Sequence, residues 1–382
     1  MRDDQDIRAS FLCFPAWTQN FWTWLTGKAL PRQRPLFVHT WWSYLLVTLS
    51  LYFSGIAVAA WAWIARPHGW WPFLILVGWI MTVNGARTMF LVILHQCVHK
   101  QLSGNRVVDQ RIGEVAAILV MNQSYGQFKD AHFVRHHNYQ TFATIEDPPV
   151  ARMLALGIRP GMTKRQLWQR SLRIMVSPLF HALAFWARIR SNLLSPNAFQ
   201  TIVLVLFAAA LALVHVLLPD GVMAMVVAFW IPLTVFVQIS ALLDHLGEHG
   251  WLMPADLTLP TRYRHADQSW ARFNGCATPG KGLSLAQAVR AWVVWAVQML
   301  FYHLPVRLLV VVGDLPNHDF HHRHPGSKDW MIAAYARQRD IDNASGGGPK
   351  YLEFWGLGPA VDHVLDGISR APLMDALHLE CF

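Results

Sequence analysis

Charge is scarce in this chain of 382 residues: Asp, Glu, Lys and Arg make up 14%, against 54% hydrophobic residues. Soluble domains carry about 25% charged residues, so the bilayer is the expected solvent. Cysteine is thin as well. Cys13, Cys97, Cys276 and Cys381 lie far apart with no CxxC pair, which excludes a disulfide framework and a zinc ribbon and leaves reduced thiols. The N-terminal MRDDQDIRAS has no short apolar core and no cleavage site, so no removable signal peptide is expected. Internal repeats and low-complexity tracts are absent, and the SGGGP run at 345–349 reads as a loop. What is abundant is tryptophan, with 19 residues. Indole rings favour the membrane interface, where the ring is apolar and its N–H stays wet.

Four apolar runs approach the ~20 residues that cross a hydrocarbon core. Trp41 to Ala65 and Trp71 to about Arg87 are joined by RPHGW; Thr201 to Leu218 and Val222 to Leu243 are joined by Pro219-Asp220-Gly221. Each pair reads as a hairpin of spanning helices. Lys and Arg number 5 in residues 1–40, 13 in 98–200 and 12 in 244–382, with a single Arg66 in the first turn and none in the second. The basic excess therefore sits on one side of both hairpins, which the positive-inside rule assigns to the cytoplasm. Both termini and the central loop are expected there. The net charge of +9 then serves orientation and attraction to anionic headgroups, not nucleic acid. Arg87, near the membrane boundary, reads as a snorkelling anchor. Arg165 to Ser191 mixes Arg with Trp, Leu and Phe like an interfacial amphipathic helix, and Phe14 to Trp24 does the same. Leu285 to Gly313 is apolar but interrupted by Arg290, His303, Pro305 and Arg307, which leave about 14 clean residues. The expectation is a buried or membrane-apposed cytoplasmic helix.

Ten of the 19 histidines fall into four clusters: His95 and His99 in LHQCVHK, His132, His136 and His137 in HFVRHH, His245 and His249 in DHLGEHG, and His318, His321 and His322 in HDFHH. At roughly 5% histidine, a chance HxxxH pair is expected about once in such a chain, so the first cluster alone says little. Two triplets and two pairs together are far beyond chance. Residues i and i+4 share a helix face with about 5–6 Å between side chains, so His95 and His99, or His245 and His249, can grip one ion or straddle two. In a triplet the adjacent pair points to different sides, so one imidazole can reach each of two metals while the earlier histidine joins one of them. A single tetrahedral zinc needs only four ligands, and two metals are the natural reading. Under the assignment from Lys and Arg, all four clusters are cytoplasmic.

The order HxxxH, HxxxHH, HxxHH, split by a membrane hairpin, resembles the membrane fatty acid desaturase and hydroxylase superfamily over roughly Trp41 to His324. The resemblance implies an all-α integral membrane fold with four transmembrane helices in two hairpins, a cytoplasmic helical cap, and a di-iron centre with O2 as co-substrate. It implies a membrane-embedded acyl-chain substrate, and electrons delivered singly by a ferredoxin or a b-type cytochrome. His95, His99, His132, His136, His137, His318, His321 and His322 match the three boxes; His249 matches the extra ligand after the last spanning helix. At His245 some members have Asn holding a water, so it ranks below the others. Asp147, in IEDPP, stands where the family often shows DPD, and Pro149 replaces the second acid. By this reading residues 1–40 form a cytoplasmic N-terminal segment with an interfacial helix, 41–324 the desaturase-like domain, and 325–382 a cytoplasmic tail. The setting is a bacterial plasma membrane or the endoplasmic reticulum. Desaturation is the expected reaction, with lipid or carotenoid hydroxylation or ketolation as the alternative on the same scaffold.

Rival chemistries lack their residues. A metallopeptidase needs HExxH, but Gln96 replaces the glutamate. A carboxylate-bridged di-iron oxidase needs Glu-x-x-His, and no Glu here is followed by His at the third position. A metal transporter places polar ligands at mid-bilayer, whereas these clusters lie beyond the helix ends. His39, His68, His181, His215, His265, His303, His324, His363 and His378 read as ordinary surface or core residues. HPGS at 324–327 resembles part of a haem motif by coincidence, and Cys97 faces away from His95. Asp244, Glu248 and Asp319 are either acceptors for ligand N–H groups or solvated acids.

Overall fold

A computed structural model describes residues 6–194, 196–254, 258–259, 263–343 and 349–372. Cys381, His378 and the serine and glycines of the 345–349 run lie outside them. The described chain is mostly helical and forms two compact units, each discontinuous in sequence. One comprises 39–138 and 169–242, the other 1–38, 139–168 and 243–382.

Among the described residues five helices are long and apolar enough to cross a membrane: Trp41–Ala65, Trp71–Val98, Ala198–Leu217, Gly221–His245 and Leu285–Leu309. The second runs about ten residues past Arg87, because a π-helical stretch at Met89–Leu94 carries it on to His95–Val98. The fifth was expected to be too broken to qualify. Pro305 does not break it, since the widened π-helical turn at Met299–His303 just before it accommodates the missing N–H and the ring's crowding of the preceding carbonyls. The basic segment at 164–193 is two helices, Lys164–Met175 and Pro178–Leu193, bent by 70° at Ser177-Pro178. Ser177 caps the second helix by accepting from the Phe180 amide, and Pro178 occupies its first position.

In the unit built on 39–138 and 169–242, Trp41–Ala65 and Trp71–Val98 pack backbone against backbone. A Cβ on Gly55 would lie 2.5 Å from the Thr82 nitrogen, one on Gly78 2.7 Å from the Gly55 oxygen, and one on Gly85 2.6 Å from the Tyr52 nitrogen. Small residues allow such an approach where no hydrophobic force draws helices together. Gly78→Leu is therefore expected to cost at least the ~1–3 kcal/mol typical of overpacking, read as a fall in the temperature at which detergent-solubilised protein loses its monodisperse peak. Polar groups are spent on free carbonyls. Tyr52 donates to Leu119 O at 2.8 Å, and Arg188 donates to Val120 O, Met121 O and Leu233 O at 2.9–3.0 Å. The arginine thus satisfies carbonyls where the helix Arg106–Leu119 ends.

In the other unit, two short strands, Trp270–Phe273 and Leu352–Trp355, pair in parallel with Trp270 beside Leu352. The helix Leu357–Arg370 buries Leu357, Ala360, Val361, Val364, Leu365 and Ile368, a 3.6-residue stripe. Residues 6–33 pack along Leu285–Leu309 through Phe11, Leu25, Trp295 and Met299.

Candidate metal centre

In the first unit, His95 and His99 stand one turn apart at the end of Trp71–Val98, with ring centroids 4.9 Å apart. The π-helical stretch just before them supplies a local acceptor. His95 Nδ1 lies 3.1 Å from Leu91 O, and since a carbonyl only accepts, Nδ1 carries the proton and Nε2 presents its lone pair. The first triplet lies on π-helix, Lys129–His136, closed by a bond from the His137 amide to His132 O at 3.0 Å. This decides how the triplet divides. In an α-helix His132 would share its face with His136; in the wider turn it shares it with His137, five residues on. His137 Nε2 is 3.1 Å from His132 Nε2, which is itself 3.0 Å from His95 Nε2. His95, His99, His132 and His137 offer ring nitrogens all within 4.8 Å of one another, and His136 is outside that group.

The second unit repeats the device on ordinary α-helix. His318 and His322, four apart in His318–Arg323, bring their Nε2 atoms to 3.1 Å. His249 joins them, its ring 5.1 Å from His318 and 4.6 Å from His322. His249, His318 and His322 again hold ring nitrogens within 4.8 Å, and His321 is outside this group. The Ser269 hydroxyl, 3.1 Å from His249 Nδ1, fixes that ring. Phe142 lies edge-on to His249 at 4.9 Å and is 5.1 Å from His322.

These arrangements fit metal ions. An ion about 2.1 Å from two imidazole nitrogens at a right angle sets them about 3 Å apart, the spacing seen here. Burial, with neighbouring imidazoles adding to it, pushes His99 down to about 2 and His132 well below the ordinary histidine range. These two rings are therefore neutral near pH 7 and can act as ligands.

His245 is not brought to either group. Its Nδ1 is 2.9 Å from Glu248 Oε1 and its Nε2 3.1 Å from Pro149 O, so both ring nitrogens face oxygen acceptors. His245→Ala should accordingly leave metal content unchanged, whereas His249→Ala should remove about one ion per chain; equal loss by elemental analysis would overturn the distinction. The three acids are buried or half-buried rather than solvated, and each has a basic partner: Asp244 with Arg272, Glu248 with His245, Asp319 with Arg337. Asp147 is fully buried and accepts from the Ala143 amide at 2.8 Å, closing the turn before Pro148–Ala155. Sequence reasoning missed Phe142, Ser269 and His265, whose ring is 5.7 Å from His322. Only the fold places them there.

Among known families, the sequence model described as fatty acid desaturase matches residues 68–280, more than half of the chain. No curated protein and no solved structure matches it.

Proposed function

This chain belongs to the fatty acid desaturase family, and from that premise we propose that it is a membrane-bound, O2-dependent di-iron oxidase that introduces a double bond into a lipid acyl chain. Membership makes it an oxidoreductase of the desaturase and hydroxylase type; the double bond, the acyl-lipid or acyl-CoA substrate and the ferredoxin or b-type cytochrome donor are the proposal. What carries it is the convergence of buried and half-buried imidazole nitrogens in two groups at spacings suited to ions. In this reading one iron is held by His95, His99, His132 and His137, the other by His249, His318 and His322, and His136 and His321 are the remaining ligands. His245 drops to a supporting place. Four helices span, and the basic excess puts the termini and the histidines on the cytoplasmic side.

When bound, such an iron pair supplies O2 activation and the power to take hydrogen from an unactivated methylene. The chain's own residues do the rest. Leu91 O and Ser269 Oγ hold the rings of His95 and His249 in orientation, so that the donor nitrogens are in place before metal arrives. Phe142 fills the space beside His249 and His322 with an apolar ring, which keeps water from that side. Entry of substrate from the bilayer needs no aqueous transit.

The reaction is tested with an acyl chain deuterated at two adjacent methylenes under ¹⁸O2. The expected product is an olefin that has lost one deuterium from each carbon and gained no ¹⁸O. An ¹⁸O-containing alcohol as the main product would refute the double bond and move the chain to the hydroxylating branch.

A further inference from the structure

The helix Trp41–Ala65 packs differently at its two ends. Towards its C-terminus Ala59 and Ala60 meet Ala224 and Ala228 in a close cluster. Towards its N-terminus Leu45 and Leu49 instead form one wall of a groove of about 240 Å³. The helix Arg106–Leu119 supplies a second wall through Ile112 and Val115, Phe199 a third, and the buried Met89 lies at the inner side. Leu45 comes one turn after Trp41, and Phe199 stands in the first turn of Ala198–Leu217, so both walls begin where their helices enter the bilayer. Ala198–Leu217 has no buried residue, which leaves its surface to lipid.

Among the described residues that line the groove, Arg111 alone is charged. Its guanidinium lies 4.5 Å from the centroid of the Phe199 ring and so joins two of the walls, yet its side chain is 46% exposed. Glu114 holds Arg111 Nη1 at 2.9 Å, but this carboxylate is buried and shared, because the Gln110 and Asn197 side-chain amides donate to its other oxygen at 2.9 and 2.7 Å. Asp109 is buried as well and accepts from the Ser103 amide at 2.8 Å. The helix thus turns its acids inward and presents Arg106 and Arg111 outward, a basic rim over an apolar slot. A guanidinium spreads five N–H donors in a plane, so one that is held by a carboxylate keeps others for a second anion.

We propose that this groove is a lipid site, seating one acyl chain of an anionic phospholipid whose phosphate is met by Arg111. The volume falls below the roughly 300–1,000 Å³ of a pocket for a drug-sized ligand and suits a single chain. A free phosphate ion would use the arginine and have no need of the apolar walls beside it. The occupant is a resident lipid that fills the gap between Trp41–Ala65 and Ala198–Leu217, and it is not the chain to be oxidised. No histidine lines the groove, and Met89 precedes His95 by six residues, about 9 Å of helix.

The test follows thermal unfolding of the full chain in a nonionic detergent as dioleoyl phosphatidylglycerol or the zwitterionic dioleoyl phosphatidylcholine is added, since a ligand of the native state raises stability as its site fills. Phosphatidylglycerol is expected to act at about one-fifth of the concentration that phosphatidylcholine needs, the advantage of one basic residue beside an anionic headgroup. Inorganic phosphate should give no shift. Arg111→Gln should bring the two lipids together, and Arg111→Lys should keep them apart. Val115→Trp fills the slot and should abolish the response to both; circular dichroism shows whether it keeps its helices, and the arginine variants, altered at an exposed position, carry the test if it does not. Equal responses of the parent to the two lipids, no response to either, a shift with phosphate alone, or an undiminished preference in Arg111→Gln would each overturn the proposal. A dimer that Val115→Trp dissociates would overturn it too, by showing that a second copy covers the groove. So would a new double bond in the retained phosphatidylglycerol after turnover, which would make the groove part of the substrate path.

Discussion

Alanine at His322 is expected to take the purified protein from about two irons per chain to about one and to abolish turnover. The effect should exceed the 10–100-fold cost of losing a supporting hydrogen bond to a ligand. His136→Ala should behave in the same way. The sharper expectation concerns pairs. His132 and His137 belong to one group, their Nε2 atoms 3.1 Å apart, so once either is gone the second has little left to lose. The His132→Ala/His137→Ala double variant should therefore resemble each single variant in iron content, with one ion left. Combining His132→Ala with His322→Ala strikes both groups and should leave none. Elemental analysis, with circular dichroism to confirm that each variant keeps its helices, reads these outcomes. Full activity in His322→Ala would sink the ligand assignment, and strictly additive iron losses for His132 and His137 would dissolve the grouping.

How the triplet divides shows where sequence reading stops. The number and order of the histidines, the two hairpins and the family were legible because spacing, hydropathy and charge are local properties. Which member of His136 and His137 pairs with His132 was not legible. Spacing rules assume 3.6 residues per turn, and the widened turn at Lys129–His136 moves the partner by one residue. The same limitation cut the second span short at Arg87 and left Leu285–Leu309 looking broken at Pro305. In both places π-helical backbone carries the chain through. The partners of two acids were hidden for a different reason. Asp244 and Asp319 sit beside cluster histidines in sequence, but their partners Arg272 and Arg337 lie 28 and 18 residues away, and only tertiary structure pairs them. Ser269 and Phe142 had no periodic signal at all, being placed against histidines by loops and by a single bridge between His249 and Ser269.

The Asp319–Arg337 pair leads to the largest expected effect on stability. Asp319 follows His318 directly and is fully buried, and Arg337 is 1% exposed. Arg337 Nε and Nη2 reach both carboxylate oxygens at 2.9–3.1 Å, while Nη1 goes on to Glu353 Oε1 at 2.9 Å. Asp319 Oδ1 also accepts from the Phe320 amide at 2.8 Å, so the carboxylate fixes the first turn of His318–Arg323 as well as binding the arginine. Removing one partner strands a buried charge, which costs about 3–5 kcal/mol, whereas replacing both with uncharged groups of similar volume is often close to neutral. Arg337→Met is accordingly expected to lower the unfolding temperature sharply and to loosen the helix that carries His318 and His322, with loss of bound metal following. Adding Asp319→Asn to Arg337→Met should recover much of the stability, because no charge then remains unpaired and the asparagine can still accept from Phe320. Thermal unfolding of metal-depleted protein separates the two consequences: if the pair acts through packing of this unit, the single variant is destabilised without metal too. A single variant as stable as the parent would show that water reaches Asp319 and that the pair contributes little.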